Sequence, residues 1–393
     1  MPLSLLCHHA LTTLLLLRFP PWLRRFRLEP PLPHAALSAR LGGKRLVTSA
    51  QATLLVLLML FSNVSAQAAI TFYNFHAPTG KISGTNCIMG SYVASPSSNL
   101  TSVTVTIGGE QITPSSFIPG IYGGYTYNIT FASTHFANGT NLTIKVTATN
   151  ALGETNSITA SSPPTVYNVA TIYGRNEWEI PSTASSAGTA PAKSNLLSMQ
   201  HDVSRTVTFK GWAARDILAD IVPCTAFYVN THGNYIPTIL FISDLDEITG
   251  SEESIYPADV GSQRSVAYNQ GLPPVNIAFI DACWTGKDNA FADAFLYPFT
   301  DYQATDQAEI GWAIETAVGK TNVDSTAFWN ALASGLTAKQ ARDKTVFVYL
   351  GKALAPGETQ ILNCYGDFNT TLQGAYTGTE MGMNQTRNWW YSH

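Results

Sequence analysis

TAFYVNTHG (residues 225–233) and VNIAFIDACWTG (residues 275–286) are the two stretches whose reading decides the fold. Each opens on a short unbroken apolar run, Thr225 to Val229 and Val275 to Ile280, the composition of a strand buried on both faces. Each then closes on polar residues that can do chemistry: Asn230-Thr231-His232-Gly233 after the first, Asp281-Ala282-Cys283-Trp284-Thr285-Gly286 after the second. Around them, Val203 to Phe209 reads as a further strand, and Trp212 to Ile221 and Asn289 to Leu296 read as short helices. Buried strands alternating with helices imply an α/β domain built on a mostly parallel sheet. In such sheets ligands bind beyond the carboxyl ends of the strands. His232 and Cys283 each sit just past such an end, and neighbouring parallel strands would set them side by side over one sheet edge.

A thiol and an imidazole in that position form a useful pair. A free thiol is only a few per cent thiolate at neutral pH, and an adjacent imidazole can take its proton and later hand one to a leaving amine. Gly233 allows close backbone approach, so its N–H and that of Cys283 are the candidate donors to an oxyanion. A helix beginning just after Cys283 would add its positive end.

Strand–His–Gly followed, 51 positions after the histidine, by strand–Asp–Ala–Cys resembles the caspase-hemoglobinase clan of cysteine peptidases, which includes caspases, legumains, metacaspases, gingipains and clostripains. The chain looks closest to the secreted bacterial, gingipain-like branch. Ile310-Gly311-Trp312-Ala313-Ile314 resembles the clan's next strand. Phe328-Trp329 with Gly335-Leu336-Thr337-Ala338 resembles the helix pair that follows, and Tyr365-Gly366-Asp367 its closing turn, although Phe368 stands where many relatives have Pro. The resemblance covers roughly residues 200–372. It implies a caspase-like three-layer α/β fold, with Cys283 as nucleophile and His232 as general base and acid. Gly233 and Cys283 would form the oxyanion hole, and Asp281 would help line the S1 pocket. The implied activity is that of a cysteine endopeptidase acting on protein or peptide substrates, with no cofactor and no metal. Self-cleavage is common in relatives, and the small polar stretch 181–195 (PSTASSAGTAPAKSN), which reads as a loop or exposed linker, is where it would fall. A silent caspase-like fold serving cell-surface adhesion or binding, or a peptidase that processes only itself, are the competing readings.

Residues 69–164 alternate with period two instead. Val103, Val105 and Ile107 lead into Gly108-Gly109, and Leu142, Ile144, Val146 and Ala148 follow Asn138-Gly139. Ile70 to Phe75, Ile82 to Met89 and Tyr125 to Phe131 supply more strands, so an antiparallel β-sandwich is expected. NGTNLTIKVTATNALGET (residues 138–155) resembles the last hairpin of bacterial immunoglobulin-like modules, which implies a spacer or adhesive role and cell-surface association. Ser161-Ser162-Pro163-Pro164 ends the module, and residues 165–393 form the peptidase-like domain.

Ahead of these, residues 1–68 read as an N-terminal extension and a signal peptide. Lys44 and Arg45, the apolar run TLLVLLMLF (residues 53–61) and Ala66-Gln67-Ala68 have the order of a secretory signal, and the run is shorter than the ~20 residues of a membrane span. Residues 1–46 fit a signal badly, and the initiator is expected nearer Leu46. The protein is therefore expected to be secreted or cell-surface, with no stable membrane span after signal cleavage.

Composition closes off other classes. Only 12% of residues are charged and the net charge is −4, so there is no basic surplus to neutralise phosphates and nucleic acid is excluded as the main partner. Five cysteines do not make a disulfide scaffold in a chain of 393 residues. Cys224 and Cys364 read as structural, bridged or simply buried. After the signal only His76, His135, His201, His232 and His393 remain, without metal-ligand spacing. Neither a G-x-S-x-G elbow nor an H-E-x-x-H helix occurs.

Overall fold

The computed structural model describes residues 70–372, apart from 96–98, 113–117, 120–124, 175–181, 208–212, 236–237, 243–252, 300–303, 305 and 317. The expected signal and upstream extension lie outside the described residues, as do Trp212 and His393.

The first part is made of β1 (Thr71–His76), β2 (Lys81–Ile82), β3 (Thr85–Ala94), β4 (Leu100–Ile107), β5 (Glu110–Ile112), β6 (Ile118–Pro119), β7 (Tyr125–Ala132), β8 (Ile144–Asn150), β9 (Thr155–Thr159) and β10 (Thr165–Val166). Two antiparallel four-stranded sheets result, in the orders β1-β3-β7-β6 and β5-β4-β8-β9. Alternation explains their packing. Val103, Val105 and Ile107 of β4 and Ile144, Val146 and Ala148 of β8 are fully buried, and they share one core with Val93, Ile129 and Phe131 of the other sheet. Gly108 and Gly109 adopt φ values of 57° and 93°, which is the conformation a tight hairpin between β4 and β5 requires.

The second part runs β11 (Val169–Tyr173), α1 (Ser182–Ser198), β12 (Asp202–Val207), α2 (Ala214–Ile221), β13 (Ala226–Asn230), β14 (His232–Tyr235), β15 (Thr238–Ile242), β16 (Glu253–Ile255), α3 (Pro257–Asn269), β17 (Ile277–Asp281), α4 (Ala290–Phe295), β18 (Ala308–Trp312), α5 (Val318–Ala333), α6 (Ala338–Leu350) and β19 (Leu362–Gly366). A mixed six-stranded sheet has the order β12-β11-β13-β17-β18-β19, with only β19 antiparallel. Every residue of β11, β13, β17 and β18 is buried, because helices cover both faces. On one face Leu196 of α1, Phe328, Trp329 and Leu332 of α5 and Val346 of α6 pack on Ile172, Tyr228, Phe279 and Ile310. On the other, Ile217 of α2, Val260 of α3 and Phe291 and Phe295 of α4 pack on Phe227, Val229, Ala278 and Ile280. Phe279 meets Phe328 at 4.6 Å between ring centroids, and each such buried aromatic stabilises the fold by about 1.5–3 kcal/mol.

Local signals set the helix starts. Thr337 Oγ1 accepts from the Gln340 N–H at 3.2 Å and Gln340 Oε1 accepts from the Thr337 N–H at 2.9 Å, a reciprocal cap on α6. Pro257 opens α3, where its missing N–H costs nothing, and Asp259 accepts from the Tyr256 N–H at 2.9 Å.

The expectation of a loop at 181–195 is corrected: Ser182–Ser198 is helix α1. Four alanines (Ala184, Ala187, Ala190, Ala192) favour that state, and the burial of Ala192 and Leu196 against the sheet supplies what the polar residues do not. Ser325 Oγ donates to the Gly188 carbonyl at 3.2 Å, tying α1 to α5.

Sandwich and sheet meet through a buried polar seam. Ser83 Oγ donates to Asn276 Oδ1 at 2.6 Å and Ser133 Oγ donates to Asn168 Oδ1 at 2.7 Å. Asn168 and Asn276 immediately precede β11 and β17, so the sandwich sits on the amino edge of the sheet, opposite the edge that carries His232 and Cys283. Among the described residues no helix is long and apolar enough to cross a membrane.

Candidate active site

Strands β13 and β17 are parallel neighbours whose last paired residues are Asn230 and Asp281. His232 and Cys283 each lie two residues further on, so the sheet's own register carries both past one edge. His232 opens β14, which turns away to pair with β15, and its side chain is exposed. Gly233 lies directly against the turn that follows β17. A Cβ on Gly233 would overlap the Cys283 carbonyl oxygen and press on Thr285 Cγ2 at 3.1 Å and Ala282 Cβ at 3.2 Å.

The turn from Cys283 to Gly286 is held from beneath by β18 and β19. The Trp284 N–H donates to the Ile314 carbonyl at 3.2 Å, and the Gly286 N–H to the Trp312 carbonyl at 2.9 Å. The Gly286 carbonyl accepts from Asn363 Nδ2 at 2.7 Å and Tyr365 Oη at 3.0 Å. Gly286 and Gly311 cross so closely that a Cβ on either would enter the other's backbone. This clamp holds Trp284 at φ 64°, a left-handed conformation costing a non-glycine residue roughly 1–3 kcal/mol, immediately after Cys283. Lys287 Nζ lies 5.4 Å from the Trp284 ring centroid and 5.7 Å from that of Tyr235, bridging the Cys283 turn to the His232 strand.

Cys283 is half-buried and its sulfur is contacted by the loop after β18. The Thr316 N–H donates to Sγ at 3.2 Å and Thr316 Oγ1 lies 3.5 Å from it. The Cys283 N–H donates to no acceptor among the described residues, leaving it open to an incoming oxyanion. The helix read at Asn289 to Leu296 is α4, Ala290–Phe295, and turns and bends at residues 283–289 separate its start from Cys283.

Asp281 differs from its expected place in the S1 pocket. Its side chain is fully buried, with Oδ2 accepting from Tyr228 Oη at 3.1 Å and Asn230 Nδ2 at 2.5 Å and Oδ1 accepting from Trp312 Nε1 at 2.9 Å. A carboxylate enclosed by three donors ties β13, β17 and β18 together below the site and offers no open face to a substrate side chain. The bridge left open by the sequence is absent: no disulfide joins Cys224 and Cys364. Burial pushes the Cys224 thiol up to about 11, which makes it inert. Sequence reasoning missed Thr316, since a threonine in a loop carries no motif, and it missed Lys287. Among the described residues no group of three or more His, Cys, Asp or Glu is placed to hold a metal.

No protein-family model matches the chain, and no curated protein matches it. Among solved structures it is weakly similar to a Paenibacillus sp. cycloisomaltooligosaccharide glucanotransferase complexed with cycloisomaltoheptaose, at 12% identity over 53% of this chain and 27% of that one, with a TM-score of 0.18. It is similar also to a 2,6-sialyltransferase of Vibrionaceae Photobacterium sp. JT-ISH-224, at 7% identity over 51% of this chain and 40% of that one, with a TM-score of 0.16. The chain spans less than half of either, and neither likeness bears on its fold or activity.

Proposed function

We propose that this chain is an exported cysteine endopeptidase, a caspase-like α/β domain carried on an immunoglobulin-like sandwich. The observation that carries the reading is the register of β13 and β17, which ends at Asn230 and Asp281 and brings His232-Gly233 and Cys283 to one sheet edge. The strand order with a single antiparallel edge strand supports it, as do the close apposition of Gly233 to Cys283 and the unengaged Cys283 N–H. Export rests on Lys44, Arg45, the apolar run 53–61 and Ala66-Gln67-Ala68.

In this mechanism the His232 imidazole takes the Sγ proton and the thiolate attacks the scissile carbonyl carbon, forming a C–S bond. The Cys283 and Gly233 N–H groups hold the oxyanion. The imidazolium then protonates the leaving amine as the C–N bond breaks, leaving a thioester. Water, deprotonated by His232, hydrolyses the thioester, which releases the carboxylate and restores the thiol. The Thr316 contacts keep Sγ at the mouth of the turn between cycles.

The test is a peptide library scanning every P1 residue, applied to the purified protein and to Cys283→Ala and His232→Ala. Cleavage of some members by the wild type and by neither variant is expected. Cleavage persisting in Cys283→Ala, or none by the wild type at any P1 residue, removes the peptidase reading and leaves a binding protein or a self-processing one.

A further inference from the structure

A cavity of about 440 Å³ opens where the β1–β2 connection of the sandwich meets the end of α3 and the segment after α4. That size suits a small organic molecule. Its lining includes His76, Lys81 and Arg264, the aromatic rings of Tyr268, Tyr297 and Phe299, and no Asp or Glu. In a chain of net charge −4, a concave site with cations and no carboxylate is a local reversal of sign.

Arg264 is 2% exposed and pairs with no carboxylate among the described residues. Its Nη1 donates to the carbonyls of Ile221 (2.9 Å), Val222 (3.2 Å) and Cys224 (3.3 Å), and its Nη2 to that of Pro273 (3.1 Å). The first two carbonyls belong to the C-terminal end of α2, so part of the guanidinium has a structural task. Its Nε has no hydrogen-bond partner among the described residues. A buried cation opposed only by carbonyl dipoles keeps much of its charge uncompensated, and an anion in the adjoining cavity lowers that cost. Lys81 is exposed, makes no ion pair among the described residues, and lies 4.6 Å from the Tyr167 ring centroid, which poises its ammonium at the rim. Tyr268 and Tyr297 stand edge to face at 6.0 Å, an apolar wall with Tyr268 still 53% exposed.

We propose that this seam cavity is a binding site for a small organic anion, with a carboxylate held toward Lys81 and Arg264 and an apolar or aromatic body laid against Tyr268, Tyr297 and Phe299. The site is separate from the Cys283 edge. Its wall at Leu272–Pro274 leads into the amino end of β17, and Cys283 follows the other end. The proposal does not rest on the peptidase reading.

Phenylacetate, phenylethanol and phenethylamine share one aromatic body and differ in charge. They are titrated calorimetrically into the full-length protein and into Lys81→Glu, Tyr268→Ala and Cys283→Ala. Both Lys81 and Tyr268 are exposed enough to be replaced without unfolding the chain, and thermal melts check this. Saturable phenylacetate binding at millimolar concentration is expected, with the alcohol and the amine at least about tenfold weaker, as loss of a charged contact implies. Lys81→Glu should weaken phenylacetate by a similar factor, Tyr268→Ala should weaken it less, and Cys283→Ala should leave it unchanged. Equal binding of the alcohol, indifference to Lys81→Glu, or no saturable binding of phenylacetate overturns the proposal.

Discussion

Gly233 leaves empty the volume that the Cys283 carbonyl oxygen occupies, so the strand bearing His232 and the turn bearing Cys283 touch through their backbones. A methyl group there has to push them apart, since the obstruction is main chain on a turn pinned by Trp312, Asn363 and Tyr365. Gly233→Ala should destabilise the protein by about 1–3 kcal/mol, as overpacking does, and reduce peptidase turnover about a hundredfold or more because catalytic geometry tolerates little displacement. Urea melts and kinetics on the same preparation check both. A stable, fully active variant would show that the two segments do not need this contact.

Thr316 meets the sulfur through its N–H, its hydroxyl and its carbonyl oxygen, which accepts from Sγ at 3.8 Å, and mutation can separate the hydroxyl from the two backbone groups. Thr316→Val keeps the N–H at 3.2 Å and removes the hydroxyl at 3.5 Å, whereas Thr316→Ser keeps both. Alkylation of Cys283 by iodoacetamide at neutral pH should slow about three- to tenfold in the valine variant, the worth of about one hydrogen bond, and stay near wild type in the serine variant. Equal rates in all three would mean that the hydroxyl does not act on the sulfur.

Asp281 accepts from Tyr228, Asn230 and Trp312 while fully buried, and an amide cannot satisfy all three donors. Asp281→Asn should cost about 1–3 kcal/mol of stability and leave the P1 preference of residual activity unchanged. A changed P1 profile at unchanged stability would return Asp281 to the S1 pocket.

His201, 4% exposed at the end of α1, has its imidazole pushed down to about 4 by burial, from an ordinary 6.5. The unfolded chain therefore takes up this proton at higher pH than the folded one. The stabilisation is complete above pH 6.5 and is lost progressively as the pH falls toward 4, by at most about 3 kcal/mol. Denaturant melts between these limits should show that slope, and His201→Gln should flatten it by about one proton. An unchanged slope in the variant assigns the acid lability elsewhere.

The two apolar runs quoted at the outset coincide with β13 and β17 within two residues, because a strand buried on both faces has to be apolar throughout. The alternation through Val103–Ile107 and Ile144–Ala148 coincides with β4 and β8 for the complementary reason. Helix α1 was not legible. Most of its residues are small and polar, Pro191 stands inside it, and the burial of Ala192 and Leu196 by distant elements adds what its alanines alone do not supply. At the site, the residue types of His232, Gly233 and Cys283 were legible from their places past strand ends. The burial of Asp281 depends on Trp312, 31 positions away, and the contact of Thr316 with Sγ on a loop 33 positions away, and local sequence encodes neither.

The central claim is that Cys283 is a nucleophile served by His232. The most direct measurement is labelling of the folded protein with a thiol-directed peptidyl probe, followed by peptide mapping, in the wild type and in His232→Ala. The account predicts a single adduct on Cys283 that forms fast in the wild type and at least about a hundredfold more slowly without the imidazole, in line with the usual worth of general-base assistance. Labelling of Cys283 at the same rate in both proteins, or no adduct on Cys283 at all, would contradict it.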